Sequence, residues 1–203
     1  NPEWLAPVNT VPGLIGVILA MTMVLFTAIA LVREHERGNM EMLITTPVSP
    51  WELTIGKVLP FAGIGLVQVT VILIVGRLIF EVPVRGSLLD LYAASLLFIV
   101  ASLALGIFVS TLAKSQFQAM QLAFFTFLPQ ILLSGFMFPF AGMPKAAQWF
   151  AEILPLTHFV RLARGIMLRA ANLHELWLEM AALGLFTLIM MSIAVARVRK
   201  RLD

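Results

Sequence analysis

The chain has 203 residues, of which 60% are hydrophobic and 12% are charged, and its mean hydropathy is +0.96. Soluble domains are about half apolar and about one quarter charged, so this composition excludes an ordinary soluble domain and indicates a membrane protein. The formal net charge of +3 is small, and the basic residues flank apolar segments instead of forming one patch, which argues against a nucleic-acid partner.

Five segments are long and apolar enough to predict membrane-spanning helices. A bilayer core about 30 Å thick requires roughly 20 residues of helix. The sequence therefore predicts an all-α, polytopic membrane protein with a single transmembrane domain over residues 1–203. The predicted spans are residues 13–32, 58–76, 91–112, 117–140 and 176–196.

Basic residues next to the spans predict the orientation of the chain. Arg197, Arg199, Lys200 and Arg201 directly follow the last predicted span, and such clusters favour the cytoplasmic side of a membrane. Five spans then place the start of the chain outside and its C-terminus in the cytoplasm. The chain begins at Asn1 and lacks the features of a signal peptide, so we expect a piece of a longer protein.

The connection after the first span carries an amphipathic pattern. Residues 33–45 predict a charged helix that continues the first span and lies on the cytoplasmic face, with a polar stripe on one side and an apolar patch on the other. The polar stripe consists of Glu34, Arg37, Gly38, Glu41 and Thr45, and the apolar patch consists of Met40, Leu43 and Ile44.

A helix break follows this amphipathic segment. Thr46 and Pro47 end the helix, because proline lacks the backbone donor that a helix interior requires. Ser49 then serves as an N-cap, Pro50 as the first helical residue and Glu52 as the partner in a capping box. The sequence thus predicts a defined start for the next helix.

The connection between the last two spans, residues 141–175, predicts short helices. Pro144 and Pro155 divide it, and charges interrupt every long apolar run. Arg161 and Arg164 lie about one turn apart among apolar residues. We therefore expect surface helices that lie on the outer leaflet or dip into it.

Neutral polar residues inside the spans leave two interpretations open. In the fourth predicted span, Gln121, Gln130 and Ser134 either hydrogen-bond between helices, the commoner role in lipid, or contact a transported substrate. Pro129 predicts a kink, which either fits the bundle or serves as a hinge for the outer half of the helix. The same alternatives apply to Gln68, Thr70, Gln118 and Thr126. The small residues that predict a packing seam in the third span are Ser102, Gly106 and Ser110.

Motifs for hydrolysis and metal binding are missing from the sequence. Gly56 and Lys57 are not preceded by a glycine at phosphate-loop spacing. His35, His158 and His174 show no metal-binding spacing, and the chain contains no cysteine. No charged residue lies deep within a predicted span, which disfavours ion coupling through this chain. We therefore expect neither an enzyme nor a metal site, and no cofactor bound by this chain.

Four stretches of the sequence resemble the type-2 ABC exporter permeases. They are ERGNMEMLITTPVSPWELTIGK from Glu36, VPGLIGVIL from Val11, LLSGFMFPFAGMP from Leu132 and PLTHFVRLARGIML from Pro155. The resemblance covers nearly the whole chain. Members of this family typically have six spans, and those most similar to this chain carry a large extracytoplasmic domain between spans one and two. We therefore expect that the first span and this domain are missing here.

The resemblance also implies partners and a location. It implies an exporter in the bacterial inner membrane, built from two permease subunits and two cytoplasmic ABC ATPase subunits that bind ATP and magnesium, sometimes with a periplasmic adaptor protein. It places the helix that couples permease to ATPase at residues 33–45, whereas the alternative is a solvated, lipid-anchored helix. The predicted ATPase-coupling residues are Glu34, Arg37, Gly38, Met40, Glu41, Leu43, Thr46 and Pro47.

Three functions are compatible with this interpretation of the sequence. The first is ATP-driven export of drugs or other amphipathic or lipid-like molecules along the interface between two permeases. The second is export of a polysaccharide or another large polar substrate, although few polar residues in the spans suit such a path. The third is a membrane scaffold or sensor that is coupled to an ATPase without transport.

Overall fold

Seven α-helices make up the described part of the chain. The structure is a computed structural model that describes residues 2–38 and 50–202. These ranges contain no strand, and one short 3-10 helix, Phe140–Gly142, precedes the fifth α-helix. The α-helices are α1 Pro2–Glu36, α2 Pro50–Phe80, α3 Leu88–Leu112, α4 Gln116–Leu133, α5 Lys145–Ala151, α6 Pro155–Arg169 and α7 Trp177–Leu202.

Four of these helices are long and apolar enough to cross a membrane. They overlap four of the five predicted spans, and the prediction of an all-α, polytopic membrane protein is confirmed. The helix predicted to start after the break at Thr46 and Pro47 also agrees with the structure, because α2 begins at Pro50, the predicted first helical residue. The four segments are Asn9–Glu36, Val58–Phe80, Leu88–Leu112 and Trp177–Arg197.

The fourth predicted span is shorter than expected. We predicted a helix over residues 117–140, but α4 has 18 residues and ends at Leu133. Ser134 forms the C-cap, and Gly135 follows with a φ of +79°. This left-handed conformation commonly terminates helices, and glycine adopts it without steric cost. The outer end of α4 is therefore an irregular segment that leads to α5.

The first helix ends before the predicted amphipathic segment does. We expected residues 33–45 to continue α1, but the helix ends at Glu36 and a turn follows. Gly38 in this turn has a φ of +67°, and its amide donates to the carbonyl of His35 at 3.2 Å. The prediction of one continuous helix is therefore wrong at Gly38, because the chain takes up the left-handed conformation there. Residues 39–45 lie outside the described residues.

Helix α3 is central to the core and packs against α1 along the predicted line of small residues. Ser102, Gly106 and Ser110 are all buried. A Cβ added at Gly106 would lie 2.8 Å from Cβ of Thr27 and 3.0 Å from the carbonyl oxygen of Val24. The packing seam is thus confirmed, because the two backbones approach so closely that only a very small residue fits.

The short helices predicted for residues 141–175 are present as α5 and α6, but α6 belongs to the core and not to the surface. Its Phe159 ring stacks on Phe98 of α3, with centroids 4.5 Å apart and planes inclined by 15°. Phe159 and Leu156 also pack against Gly16 of α1, where an added Cβ would lie 2.7 Å from each side chain. Helix α6 therefore forms a wedge between α1 and α3, and its charged residues need partners within the protein.

Candidate functional site

The predicted ATPase-coupling segment begins at the end of α1. Glu34 is half-buried there, whereas Arg37 and Gly38 are exposed. A Cβ added at Gly38 would have no atom of the described residues within 4 Å. The turn at residues 37–38 is therefore open to a partner. The other predicted coupling residues, which lie outside the described residues, are Met40, Glu41, Leu43, Thr46 and Pro47.

Three polar side chains join the end of α1 to the start of α4, and we call this group the α1–α4 clamp. The carboxylate of Glu36 accepts the backbone N–H of Gln116 at 3.1 Å and its side-chain N–H at 2.6 Å. Arg33 Nε donates to Gln116 Oε1 at 3.2 Å. Gln116 is the first residue of α4, where backbone N–H groups lack helical partners and a negative charge is favourable. The clamp leaves no local signal in the sequence, because 80 positions separate Glu36 from Gln116.

The polar residues predicted for α4 lie on two faces of the helix. Gln130 and Ser134 are buried one turn apart, whereas Gln121 is exposed. The Gln130 amide N–H reaches the carbonyl of Thr126 at 3.3 Å, and its oxygen is buried with no hydrogen-bond partner among the described residues. The structure thus brings Gln130 and Ser134 together beside the half-buried Pro129 and leaves Gln121 apart.

Gln121 lies on an exposed aromatic surface of α4. An amide gains no hydrogen bond from lipid chains, so its place among apolar side chains favours contact with protein or water. The sequence already showed these phenylalanines, but only the structure shows which of them are exposed. The exposed apolar residues of α4 are Phe117, Met120, Phe124, Phe125, Leu128 and Leu132.

Two other polar residues inside the spans bind neighbouring helices. The hydroxyl of Thr22 in α1 donates to Gln68 Oε1 in α2 at 2.9 Å. The hydroxyls of Thr70 in α2 and Tyr92 in α3 lie 2.6 Å apart. The structure therefore supports interhelical hydrogen bonding as the role of Gln68 and Thr70.

Four charged residues on the predicted outer side tie α6 to α7 and to the end of α5, and we call them the outer charge cluster. His158 Nδ1 is hydrogen-bonded to Glu179 Oε2 in α7, and Nε2 lies 2.8 Å from the carbonyl oxygen of Glu152. Arg161 donates to the two carboxylate oxygens of Glu152 at 2.6 and 3.0 Å and to Glu179 at 3.3 Å. Its guanidinium also lies 4.6 Å from the ring centroid of Phe140. These bonds explain how α6 can be buried although it carries charges.

The protonated form of His158 suits this cluster, because both ring nitrogens face acceptors. Burial of the side chain lowers the pKa of His158. The hydrogen bonds to Glu179 and to the Glu152 carbonyl, and the negative charges of both carboxylates, have the opposite effect. Together they outweigh burial and raise the pKa of His158 above 6.5. In the sequence the three histidines are scattered. The spacing of His158 and Arg161 on one helix face was visible, but the position of Glu179 on another helix was not.

The fold is that of a polytopic α-helical membrane protein, the class that includes transport permeases. Its features are long apolar helices, a close-packed seam of small residues and a buried helix that does not span the membrane. The ABC-2 type transporter family profile matches residues 4–168. This chain therefore belongs to the ABC-2 type transporter family, and the resemblance to the type-2 permeases is confirmed.

Three permeases of Escherichia coli K12 are among the similar proteins. The chain is 34% identical over 169 residues to "Probable multidrug ABC transporter permease YbhS", covering 83% of this chain and 45% of that protein. It is 30% identical over 191 residues to "Probable multidrug ABC transporter permease YbhR", covering 94% and 52%. It is 31% identical over 206 residues to "Inner membrane transport permease YhhJ", covering 98% and 53%. The chain thus spans about half the length of these relatives, which support a transport permease role.

Proposed function

We propose that this chain is the membrane-spanning part of a permease subunit in an ATP-driven exporter. The substrates are drugs or other amphipathic or lipid-like molecules, which leave the cytoplasm or the inner membrane. The family match over residues 4–168, with relatives named as multidrug permeases, is the observation that carries the proposal. The proposal places ATP and magnesium on cytoplasmic ABC ATPase subunits, and these 203 residues contain no phosphate loop of their own.

The exposed surface of α4 is the part of the chain that best suits a transport path shared with a second permease subunit. Its phenylalanines provide an apolar surface for an amphipathic molecule, and Gln121 provides a hydrogen-bonding group within that surface. Substrate sites for such molecules are mostly apolar with a few polar groups. A path for a large polar substrate would require more polar side chains than α4 exposes.

The exposed turn at Arg37 and Gly38 supports ATPase docking at the end of α1. The turn extends a helix that reaches the core, so a partner bound there acts directly on the membrane bundle. The proposed orientation places the basic residues that follow the last span in the cytoplasm, and this turn then faces the cytoplasm as well. The proposal therefore fixes both the orientation of the chain and the side on which the ATPase binds.

Single-cysteine labelling tests orientation and docking together, because these 203 residues contain no cysteine and any cysteine elsewhere in the full-length protein is first replaced with serine. Arg37→Cys in the full-length protein is expected to resist a membrane-impermeant maleimide in intact cells and to react in inside-out vesicles. Addition of the partner ATPase at about ten times its dissociation constant should slow this reaction about tenfold, because the docked ATPase covers the turn.

Gly142→Cys is the matched control, since Gly142 is exposed with nothing within 4 Å of an added Cβ and lies on the predicted outer side. It should react in intact cells, and the ATPase should not change its rate in solubilised protein. Reaction of Arg37→Cys from outside would overturn the orientation. An unchanged rate in the presence of bound ATPase would remove this turn from the docking surface.

A further inference from the structure

The α1–α4 clamp lies between the turn assigned to ATPase docking and the helix assigned to the transport path. We propose that Glu36 and Gln116 are positioning residues for transport, which make the first half of α4 move together with the docking turn. The inference rests on the proposed function, because it requires an ATPase that moves this turn.

The clamp engages both polar ends of the Gln116 side chain. Arg33 binds its carbonyl oxygen at 3.2 Å, and Glu36 binds its amide N–H at 2.6 Å. The same carboxylate also accepts the Gln116 backbone N–H at 3.1 Å. Arg33 and Glu36 are three residues apart and so project from one face of α1. Because three hydrogen bonds converge on the first residue of α4, that residue is fixed in position and direction relative to the last turn of α1.

Small buried side chains continue the contact from the clamp into the bundle. Alanines on α4 allow its backbone to approach α1 closely, and buried residues of α1 and α4 pack in one cluster together with α3 over this length. Pro129 lies beyond this cluster and lacks the backbone N–H that would tie it to the preceding turn. A displacement of the docking turn therefore reaches α4 up to this proline. The packed residues are Ala119 and Ala123 of α4 and Val24, Ala28 and Val32 of α1.

The exposure of the clamp indicates that it positions α4 relative to α1 and does not stabilise the fold. Arg33 and Glu36 are exposed, and exposed polar contacts add little to the stability of a folded protein. The buried seam between α1 and α3 holds the bundle together without them. Loss of the clamp should therefore leave the protein folded and change how ATPase motion is passed to α4.

Alanine variants of the full-length protein, reconstituted with its ATPase in proteoliposomes, test this inference. Glu36→Ala and Gln116→Ala should bind the ATPase as the parent does, melt within about 3 °C of it, and move about threefold fewer substrate molecules per ATP hydrolysed. The double variant should be no worse than either single variant, because both changes remove the same contact. Lys114→Ala is the matched control, since Lys114 is an exposed residue two positions before Gln116 and its side chain forms no hydrogen bond with the described residues.

A covalent link between the two helix ends tests whether they must move together, because it restores the connection without the original hydrogen bonds. The pair Glu36→Cys and Gln116→Cys should lose coupling while reduced and regain the parental number of substrate molecules per ATP when a short thiol-specific reagent joins the two cysteines. The added link replaces the lost hydrogen bonds and again makes the two helix ends move as one.

The results separate this inference from the proposed function. Parental coupling in both alanine variants would overturn the clamp inference alone. A joined cysteine pair that blocks transport would also overturn it, because the two helix ends would then have to separate during the cycle. Absence of ATP-dependent transport by the parent would overturn the proposed function and the clamp inference with it.

Discussion

Replacement of Gly106 with leucine is expected to lower the apparent melting temperature of the purified protein by roughly 9 °C. A Cβ alone would lie 2.8 Å from Cβ of Thr27 and 3.0 Å from the backbone oxygen of Val24, so the larger side chain must push α1 away from α3. Overpacking of this kind costs up to about 3 kcal/mol. Thermal unfolding of the full-length protein in detergent, followed by circular dichroism, measures the effect.

Gly184→Leu in α7 is the matched control for Gly106→Leu. Both glycines lie inside long apolar helices, but a Cβ added at Gly184 would meet nothing within 4 Å. The control should melt within about 2 °C of the parent, because a leucine favours the helix and clashes with no described atom. Equal melting temperatures for Gly106→Leu and the parent would show that α1 and α3 do not approach as closely as the structure indicates.

The second large effect is expected at Glu179. Glu179→Leu removes the carboxylate that faces both His158 and Arg161, so a buried histidine and a half-buried arginine each lose a partner. The loss of one partner from a buried ion pair is strongly destabilising. Because this cluster is partly exposed, we expect the free energy of unfolding to fall by about 2 kcal/mol near pH 6. Glu175→Leu changes an exposed carboxylate four residues earlier and should have little effect.

The pH profile gives this prediction a sign. The folded-state pKa of His158 is raised above its usual 6.5, so its contribution is fully present below that value and is lost as the pH rises through the folded-state pKa. The apparent melting temperature of the parent should therefore fall as the pH rises above about 6.5 and through the folded-state pKa. In Glu179→Leu this fall should be smaller, because the Glu179 carboxylate no longer favours the protonated histidine and only Glu152 still does. A parental melting temperature that rises over this range would contradict the assigned protonation.

The class of fold could be predicted from the sequence because lipid imposes one simple rule. A spanning helix must hide its backbone polar groups and present apolar side chains over about 30 Å, and this leaves long uncharged runs in the sequence. Gly106 and its small neighbours likewise marked the seam, because close helix approach demands small residues at a helical spacing. Both signals are local to one helix.

The ends of two helices were misjudged because apolar composition continued past the point where the backbone turned. Residues 134–140 remain mostly apolar, yet Gly135 takes a positive φ and stops α4 at Leu133. Gly38 does the same at the end of α1, where the helical charge spacing suggested continuation. A glycine near a helix end is a known stop signal, and at both positions it overrides the periodicity of the side chains.

The clamp and the outer charge cluster could not be predicted because they join distant parts of the chain. Glu36 and Gln116 are 80 positions apart, and His158 and Glu179 are 21 positions apart. Sequence periodicity describes which face of one helix a residue occupies but not which helix lies opposite. For the same reason α6 looked like a surface helix, since the carboxylates that permit its burial lie on the neighbouring elements.

ATP-dependent uptake of an amphipathic dye into inside-out vesicles tests the central claim most directly. Vesicles that contain the full-length permease and its ATPase should accumulate ethidium when ATP and magnesium are added, and should not do so with a hydrolysis-deficient ATPase or with the permease alone. Two results would contradict the claim that this chain is the permease of an ATP-driven exporter of amphipathic molecules. One is accumulation of ethidium by the permease without the ATPase. The other is ATP hydrolysis by the complete assembly that moves neither ethidium nor a fluorescent phospholipid.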